Sequence, residues 1–242
     1  RLEPYHPYHI LYNTIGAEDW SQPGDSIRWI VEVEQEGLYE LSLKGRQNMN
    51  RGVTSYRRVY INGEVPYAEM MSVGFAFQTS MNNYTLVDEN GEPYLFHLKA
   101  GTNTITFENV MGPMGGIITQ VEESMSALNS MYLKVVQLTG QSPSKFIDYE
   151  IVRNIPDFTE TMGEQAEVLR RIVDEIVAIT GEKGENTTLL EKMATEAAEL
   201  AEDPESVTEE LNQLKNNISA LGTWLVNVAD MPLEVDYLAL SA

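Results

Sequence analysis

The sequence contains no cysteine among its 242 residues, so it has no disulfide, no thiolate metal ligand and no cysteine nucleophile. Basic residues are also few: 16 lysines and arginines stand against 37 acidic residues, which gives a net charge of -21. Binding to nucleic-acid backbones or to anionic lipid requires a basic surface, so we expect neither partner. No apolar run approaches the roughly 20 residues of a membrane span, which excludes membrane insertion by this segment.

An initiator methionine and a signal peptide are also missing, since the sequence starts at Arg1 with a stretch rich in proline and aromatic residues. This start indicates a mature form or a piece of a longer protein. The 43% of hydrophobic residues is typical of a globular chain that buries a core.

The first half of the sequence has the alternating pattern of half-buried β-strands. Apolar residues alternate with polar ones in 27–33, 39–43 and 56–61, and Asn62-Gly63 favours the positive φ values of a type I′ turn. We predict that 27–33 and 39–43 form a hairpin. Short strands separated by regular turns indicate an antiparallel β-sandwich of the jelly-roll kind.

One further strand is expected at the very end of the sequence. Leu233, Val235 and Tyr237 alternate with acidic residues, and the upstream run 101–107 has the same period, so we predict that these two runs pair. Between them, apolar residues recur every three or four positions, as on one face of a helix. The pattern indicates four long helices, an even number that returns an antiparallel bundle to its starting point.

The predicted fold class is therefore α+β: an antiparallel β-sandwich with a helical bundle inserted before its last strand. We assign 1–112 and 232–242 to the sandwich and 113–231 to the bundle. The glycine-rich stretch 112–116 marks the change of pattern, and we interpret it as a hinge between the two parts.

Four short pieces of the sandwich sequence carry a family resemblance. They occur in the order Gly37-Leu38-Tyr39, Asn62-Gly63, Gly101-Thr102-Asn103-Thr104-Ile105 and Val235-Asp236-Tyr237-Leu238. This order resembles the galactose-binding-like jelly rolls of carbohydrate-binding modules.

Over most of its length, the sequence also resembles an accessory region of unusually large extracellular solute-binding proteins of bacterial ABC importers. The matching stretches are 56–66, 179–184, 221–225 and 232–237. The resemblance implies a location at the cell surface or outside the cell, a sugar-related transport system and neighbouring domains in a larger chain. It implies no catalytic residues, so we predict a binding module and not an enzyme.

A candidate carbohydrate platform lies on the strand 56–61. Alternation places Tyr56, Arg58 and Tyr60 on one face, where rings can stack on a sugar while guanidinium donors reach its hydroxyls. Tyr84 and Trp20 are further stacking candidates at loops or strand edges. The alternative is a purely architectural or protein-docking module without a ligand, in which the arginine pairs with one of the abundant carboxylates.

Jelly rolls of this type often carry a structural calcium ion between their first and last strands. We expect no cofactor, but the resemblance leaves room for a structural calcium with Glu18, Asp19 or Asp236 as oxygen ligands. We assign structural or surface roles, and no metal, to the three histidines His6, His9 and His97.

Overall fold

The computed structural model describes residues 14–181 and 183–242. These residues form two compact units, which we call the β-unit and the helical unit. The β-unit runs as far as Gly112 and resumes with Asp230–Ala242, and the helical unit is Pro113–Ala229. None of the helices in the described part of the chain is both long and apolar enough to cross a membrane.

Nine strands build the β-unit: β1 Ile15–Ala17, β2 Ser26–Val33, β3 Gly37–Arg46, β4 Ser55–Ile61, β5 Val73–Phe75, β6 Asn82–Thr85, β7 Leu95–Leu98, β8 Gly101–Val110 and β9 Leu233–Ser241. One sheet has the order β1-β9-β3-β6, with β7 also pairing with β3, and the other has the order β2-β8-β4-β5. All of these pairings are antiparallel. The predicted antiparallel sandwich, with helices placed before its last strand, is thus confirmed.

The predicted partner of the last strand is wrong. Strand β9 pairs with β1 and β3, in a register that sets Val235 opposite Ile15 and Leu238 opposite Leu43. Strand β8 lies in the other sheet, between β2 and β4. Alternation identifies which residues of a strand face the core, but it does not identify the neighbouring strand. Strands β8 and β9 therefore share one core from opposite sheets.

The predicted hairpin of the first two long strands is also wrong. Strand β2 pairs with β8 and strand β3 pairs with β6, β7 and β9, so the connection 34–36 passes from one sheet to the other. A short turn and alternating flanks are compatible with both arrangements. The turn at Asn62-Gly63 is confirmed, because φ is 52° and 88° at these residues. Backbone hydrogen bonds between Ile61 and Glu64, of 2.8 and 3.1 Å, close it.

The core of the β-unit combines aliphatic and aromatic side chains from both sheets. Phe107 packs edge-on against Trp29, with ring centroids 5.6 Å apart. Phe75 and Tyr84 make a similar contact across the two sheets, at 5.2 Å. Fully or nearly fully buried members include Leu41, Leu43, Val59, Phe96, Leu98, Ile105, Leu233 and Val235. The last strand therefore supplies part of the core as well as part of a sheet.

The helical unit contains four long helices and one short one: α1 Met114–Thr139, α2 Ile151–Asn154, α3 Phe158–Thr180, α4 Glu185–Glu202 and α5 Val207–Ala229. The long helices pack in a closed ring, since α1 contacts α3 and α5, and α4 also contacts α3 and α5. Each buries one stripe, as with Met162, Leu169 and Ile176 on α3. Glycines at positive φ, Gly140 and Gly181, follow α1 and α3 and end them.

Candidate functional site

The predicted platform on β4 is partly satisfied by its own sheet. The Tyr60 hydroxyl donates a 2.6 Å hydrogen bond to the Glu108 carboxylate on β8. The Arg58 guanidinium lies 3.6 Å from the same carboxylate, and the side chains of Arg58 and Glu108 are 31% and 27% exposed. The arginine is thus paired with a carboxylate, as the architectural alternative expected.

Tyr56 does not belong to that surface, because its side chain is only 9% exposed. Gly112, at φ +55°, lies so close that a Cβ atom there would be 2.5 Å from Cγ of the Tyr56 ring. Gly74 packs against the same ring, since a Cβ atom at Gly74 would be 3.1 Å from Cε1 of Tyr56. Because the residue is 9% exposed and both glycines approach its ring, Tyr56 has little surface to offer a ligand, which contradicts the prediction that it stacks on a sugar.

Trp20 is not available for stacking either, since only 2% of the residue is exposed. Its ring packs edge-on against Trp29 at 6.4 Å and lies 4.1 Å below the Arg57 guanidinium. Its indole N–H donates to the Asp25 carbonyl. The prediction of Trp20 as a ligand residue fails because the indole is part of the core.

Tyr84, by contrast, lines a cleft at one edge of the sandwich. The cleft has a volume of about 310 Å³ and lies between β5, the last strand of one sheet, and β6, the last strand of the other. The short helical turn Ala68–Met71 and the segment that leads into β7 complete its walls. Three aromatic residues belong to its lining: Tyr84 and Tyr94 are partly exposed, and Phe75 is fully buried behind them.

The Tyr84 hydroxyl belongs to this lining, and its oxygen is buried without a well-formed hydrogen bond to the described protein. Leaving a buried hydroxyl unpaired costs about 1–3 kcal/mol. Burial raises the pKa of Tyr84 above its usual 10.0, although an interaction with the Asn82 side chain acts to lower it, so the hydroxyl stays neutral and can donate at physiological pH. The Ser72 hydroxyl is also buried and unpaired, but its oxygen lies beside Tyr56 and Gly112, which are outside the lining. The cleft therefore offers one hydroxyl, that of Tyr84, to a bound molecule.

The mouth of the cleft is acidic. Glu69 belongs to its lining, and burial together with the charges of Glu69, Asp88 and Glu89 raises the pKa of Tyr94. Tyr94 packs against Tyr67, with ring centroids 4.9 Å apart. The site thus combines aromatic residues, the Tyr84 hydroxyl and negative charge.

The proposed calcium ligands do not fit an ion. The Asp236 carboxylate pairs with the Lys44 ammonium at 2.8 Å. Glu18 and Asp19 are exposed in the turn that follows β1. The end of β1, at Ala17, pairs with Leu233, and Asp236 lies three residues further along β9. Within 14–181 and 183–242, no group of three acidic or histidine side chains is placed to hold a metal. His6 and His9 lie outside the described residues.

No sequence motif marks the cleft, because Ser72, Glu69 and Tyr94 belong to no motif and meet only when the two sheet edges come together. The sequence does contain a signal for Arg57. The alternation that puts Tyr56, Arg58 and Tyr60 on one face puts Arg57 on the other, and the structure buries it completely.

The described residues thus form an antiparallel sandwich and a helical bundle, and the comparisons with known proteins give one family match and several matches to solved structures. Residues 116–229 match the family model described as the bacterial solute-binding protein 4-helix bundle domain. The match covers nearly all of the helical unit and slightly less than half of the chain. It confirms the predicted resemblance to an accessory region of solute-binding proteins.

Among solved structures, the chain is similar to a family 35 carbohydrate-binding module from Clostridium thermocellum. The identity is 19% and the TM-score 0.32, over 42% of this chain and 79% of that one. It is also similar to a cycloisomaltooligosaccharide glucanotransferase from Paenibacillus sp., with 25% identity and a TM-score of 0.31. That match covers 43% of this chain and only 14% of the enzyme. No curated protein matches the sequence.

Proposed function

We propose that the protein is a non-catalytic accessory module of an extracellular solute-binding protein of a sugar-type ABC importer, and that its β-unit contacts glycan through the cleft between β5 and β6. The family match of 116–229 supports the solute-binding context. The observation that carries the glycan contact is a cleft of about 310 Å³ whose lining includes Tyr84, with its buried hydroxyl, and Tyr94. The location outside the cell and the neighbouring domains belong to the same proposal.

The chemistry of the cleft suits a saccharide. Aromatic rings favour the C–H faces of a sugar, and hydroxyl groups that both donate and accept match its many hydroxyls. A cleft of about 310 Å³ lies near the lower end of the range for small-molecule sites, about 300–1,000 Å³. The cleft thus has the size for one terminal sugar unit and not for the middle of a long polysaccharide.

Calorimetry with the whole chain and a panel of oligosaccharides tests this proposal. The decisive variant is Tyr84→Phe, which removes the hydroxyl and keeps the ring. We expect the affinity for a bound oligosaccharide to fall about three- to tenfold, the effect of one hydrogen bond. We expect little loss of stability, because the Tyr84 hydroxyl makes no well-formed hydrogen bond and interacts within the protein with the Asn82 side chain.

A matched control is Tyr39→Phe, because this hydroxyl donates to the Gln35 carbonyl on an exposed surface outside the cleft. This variant should bind as the parent chain does. Failure of every oligosaccharide to bind would overturn the glycan contact. The architectural alternative, which the Arg58 pairing with Glu108 favours, would then describe the module.

A further inference from the structure

We propose that the cleft between β5 and β6 accepts an uncharged saccharide and rejects acidic ones, such as uronic acids. This inference rests on the proposed function and names the class of sugar that the same site takes. It follows from the charges around the cleft and from the hydrogen-bonding capacity of the groups that line it.

The charges are of one sign. Glu69 is the only charged residue in the described lining, which includes no lysine and no arginine. The acidic turn 88–92 lies between two segments of the chain that line the cleft, one ending at Val87 and the other at Tyr94. The Tyr94 amide donates a 2.9 Å hydrogen bond to the Leu86 carbonyl, which holds the two ends of this turn together. An anionic ligand would enter this region without a cation to pair with, at a Coulombic cost.

The acidic turn is held in place by its own hydrogen bonds. The Asp88 carboxylate accepts the backbone N–H groups of Asn90 and Glu92, at 2.8 and 2.9 Å. These bonds lower the pKa of Asp88, so its charge is present at neutral pH. The negative charge at the cleft is therefore a fixed property of the fold.

The hydrogen-bonding groups lead to the same conclusion. The Tyr84 hydroxyl can donate and accept, whereas the Glu69 carboxylate can only accept. Sugar hydroxyls satisfy both groups, because each hydroxyl both donates and accepts. A ligand carboxylate only accepts, so it would pair with the Tyr84 hydroxyl but would be repelled by Glu69.

The test compares pairs of trisaccharides that differ only in oxidation at C6: galactose with galacturonic acid, and glucose with glucuronic acid. Each is titrated into the whole chain at low and at high salt. At low salt we expect the neutral member of a bound pair to bind about tenfold more tightly, and we expect high salt to narrow this difference by screening.

Two variants assign the selectivity to the cleft. Glu69→Gln removes the charge from the lining, and it should narrow the difference within a pair about threefold. Glu34→Gln is the control, because it makes the same change at an exposed turn outside the cleft. Its selectivity should equal that of the parent chain.

The outcomes separate this inference from the proposed function. Equal or tighter binding of the acidic members would overturn the neutral-sugar inference and leave glycan contact in place. Absence of binding by all four trisaccharides, and by the wider panel described above, would overturn both. The inference would also be overturned if Glu69→Gln and Glu34→Gln changed the selectivity equally. The selectivity would then reflect the net charge of the protein and not the cleft.

Discussion

Arg57 donates an Nη2 hydrogen bond of 2.8 Å to the carbonyl of Met231, a residue 174 positions later in the sequence. The same guanidinium donates to the carbonyls of Trp20 and Tyr56, each at 2.9 Å. Burial lowers the pKa of Arg57 to about 9, which still leaves it charged at pH 7. One buried cation therefore joins an early turn, strand β4 and the segment that leads into β9.

Replacing this cation with an apolar side chain should destabilise the β-unit. In Arg57→Met three buried carbonyl groups lose their donor, and we expect a loss of about 3 kcal/mol in the free energy of unfolding. Urea denaturation followed by tryptophan emission measures it. Arg28→Met is the control: Arg28 is exposed on β2, and its change should stay within about 0.5 kcal/mol. Equal losses in both variants would contradict the anchoring role.

The turn at Gly63 allows the cost of a positive φ to be measured without a steric clash. A Cβ atom at Gly63 would meet nothing within 4 Å, but φ is +88°. We expect Gly63→Ala to lose about 1 kcal/mol of stability. Gly116, on α1, also has open space but no positive φ, so Gly116→Ala should be neutral or stabilising by up to about 1 kcal/mol. Thermal melting of the two variants compares them, and a stabilising Gly63→Ala would refute the turn.

A buried carboxylate in the helical unit provides a third prediction. Glu196 on α4 accepts hydrogen bonds from Gln213 and Asn217 on α5, and it is 7% exposed. Asn217→Ala removes one of these donors, so we expect the free energy of unfolding to fall by about 2 kcal/mol. Asn216→Ala, at the exposed neighbouring position, should change it by less than about 0.5 kcal/mol. Far-UV circular dichroism in urea measures both, and similar losses would contradict a role for the carboxylate.

The effect of Glu210 on the pH dependence of stability provides a fourth prediction. Burial, followed by the charges of Glu199 and Glu196, raises the pKa of Glu210 above its usual 4.5. The ionised form therefore costs stability above the folded-state pKa, and this cost is absent below the unfolded value of 4.5. Glu210→Gln should stabilise the helical unit by about 0.5 kcal/mol at pH 7 and by nothing near pH 4.

The control for this pH prediction is Glu164→Gln, an exposed change on α3 that reduces the net charge equally. It should leave the unfolding curve nearly unchanged at both pH values. A stabilisation by Glu210→Gln that persists at acidic pH would show that removing the charge is not its cause.

Local signals in the sequence predicted elements of the fold well. Asn62-Gly63 predicted its turn because only a few residues accept positive φ, and alternation predicted that Leu233 and Val235 enter the core. Alternation failed beyond them, because the register shifts between Val235 and Tyr237, so Tyr237 is exposed while Leu238 and Leu240 pack on the core. Helix periodicity predicted the long helices of the helical unit. These signals depend on the residues themselves and on near neighbours.

Relationships between distant segments could not be predicted in this way. Nothing near Tyr56 indicates that Gly112 and Gly74 will cover its ring, and nothing near Ser72 indicates that it will share a cleft with Tyr84. Both depend on which strands lie at the sheet edges, and the period of two is the same for every choice. The candidate site is therefore a product of topology, and a single sequence pattern does not contain it.

Strand β9 occupies an interior position in its sheet, between β1 and β3. A ribosome that produces this chain releases β1 and β3 long before β9, with the whole helical unit in between. Until then the sheet lacks Leu233 and Val235, and the apolar side chains that they cover remain exposed. Proteolysis just after Ala229 would recreate that unfinished state, so we expect the β-unit to lose stability when the segment 230–242 is cut off.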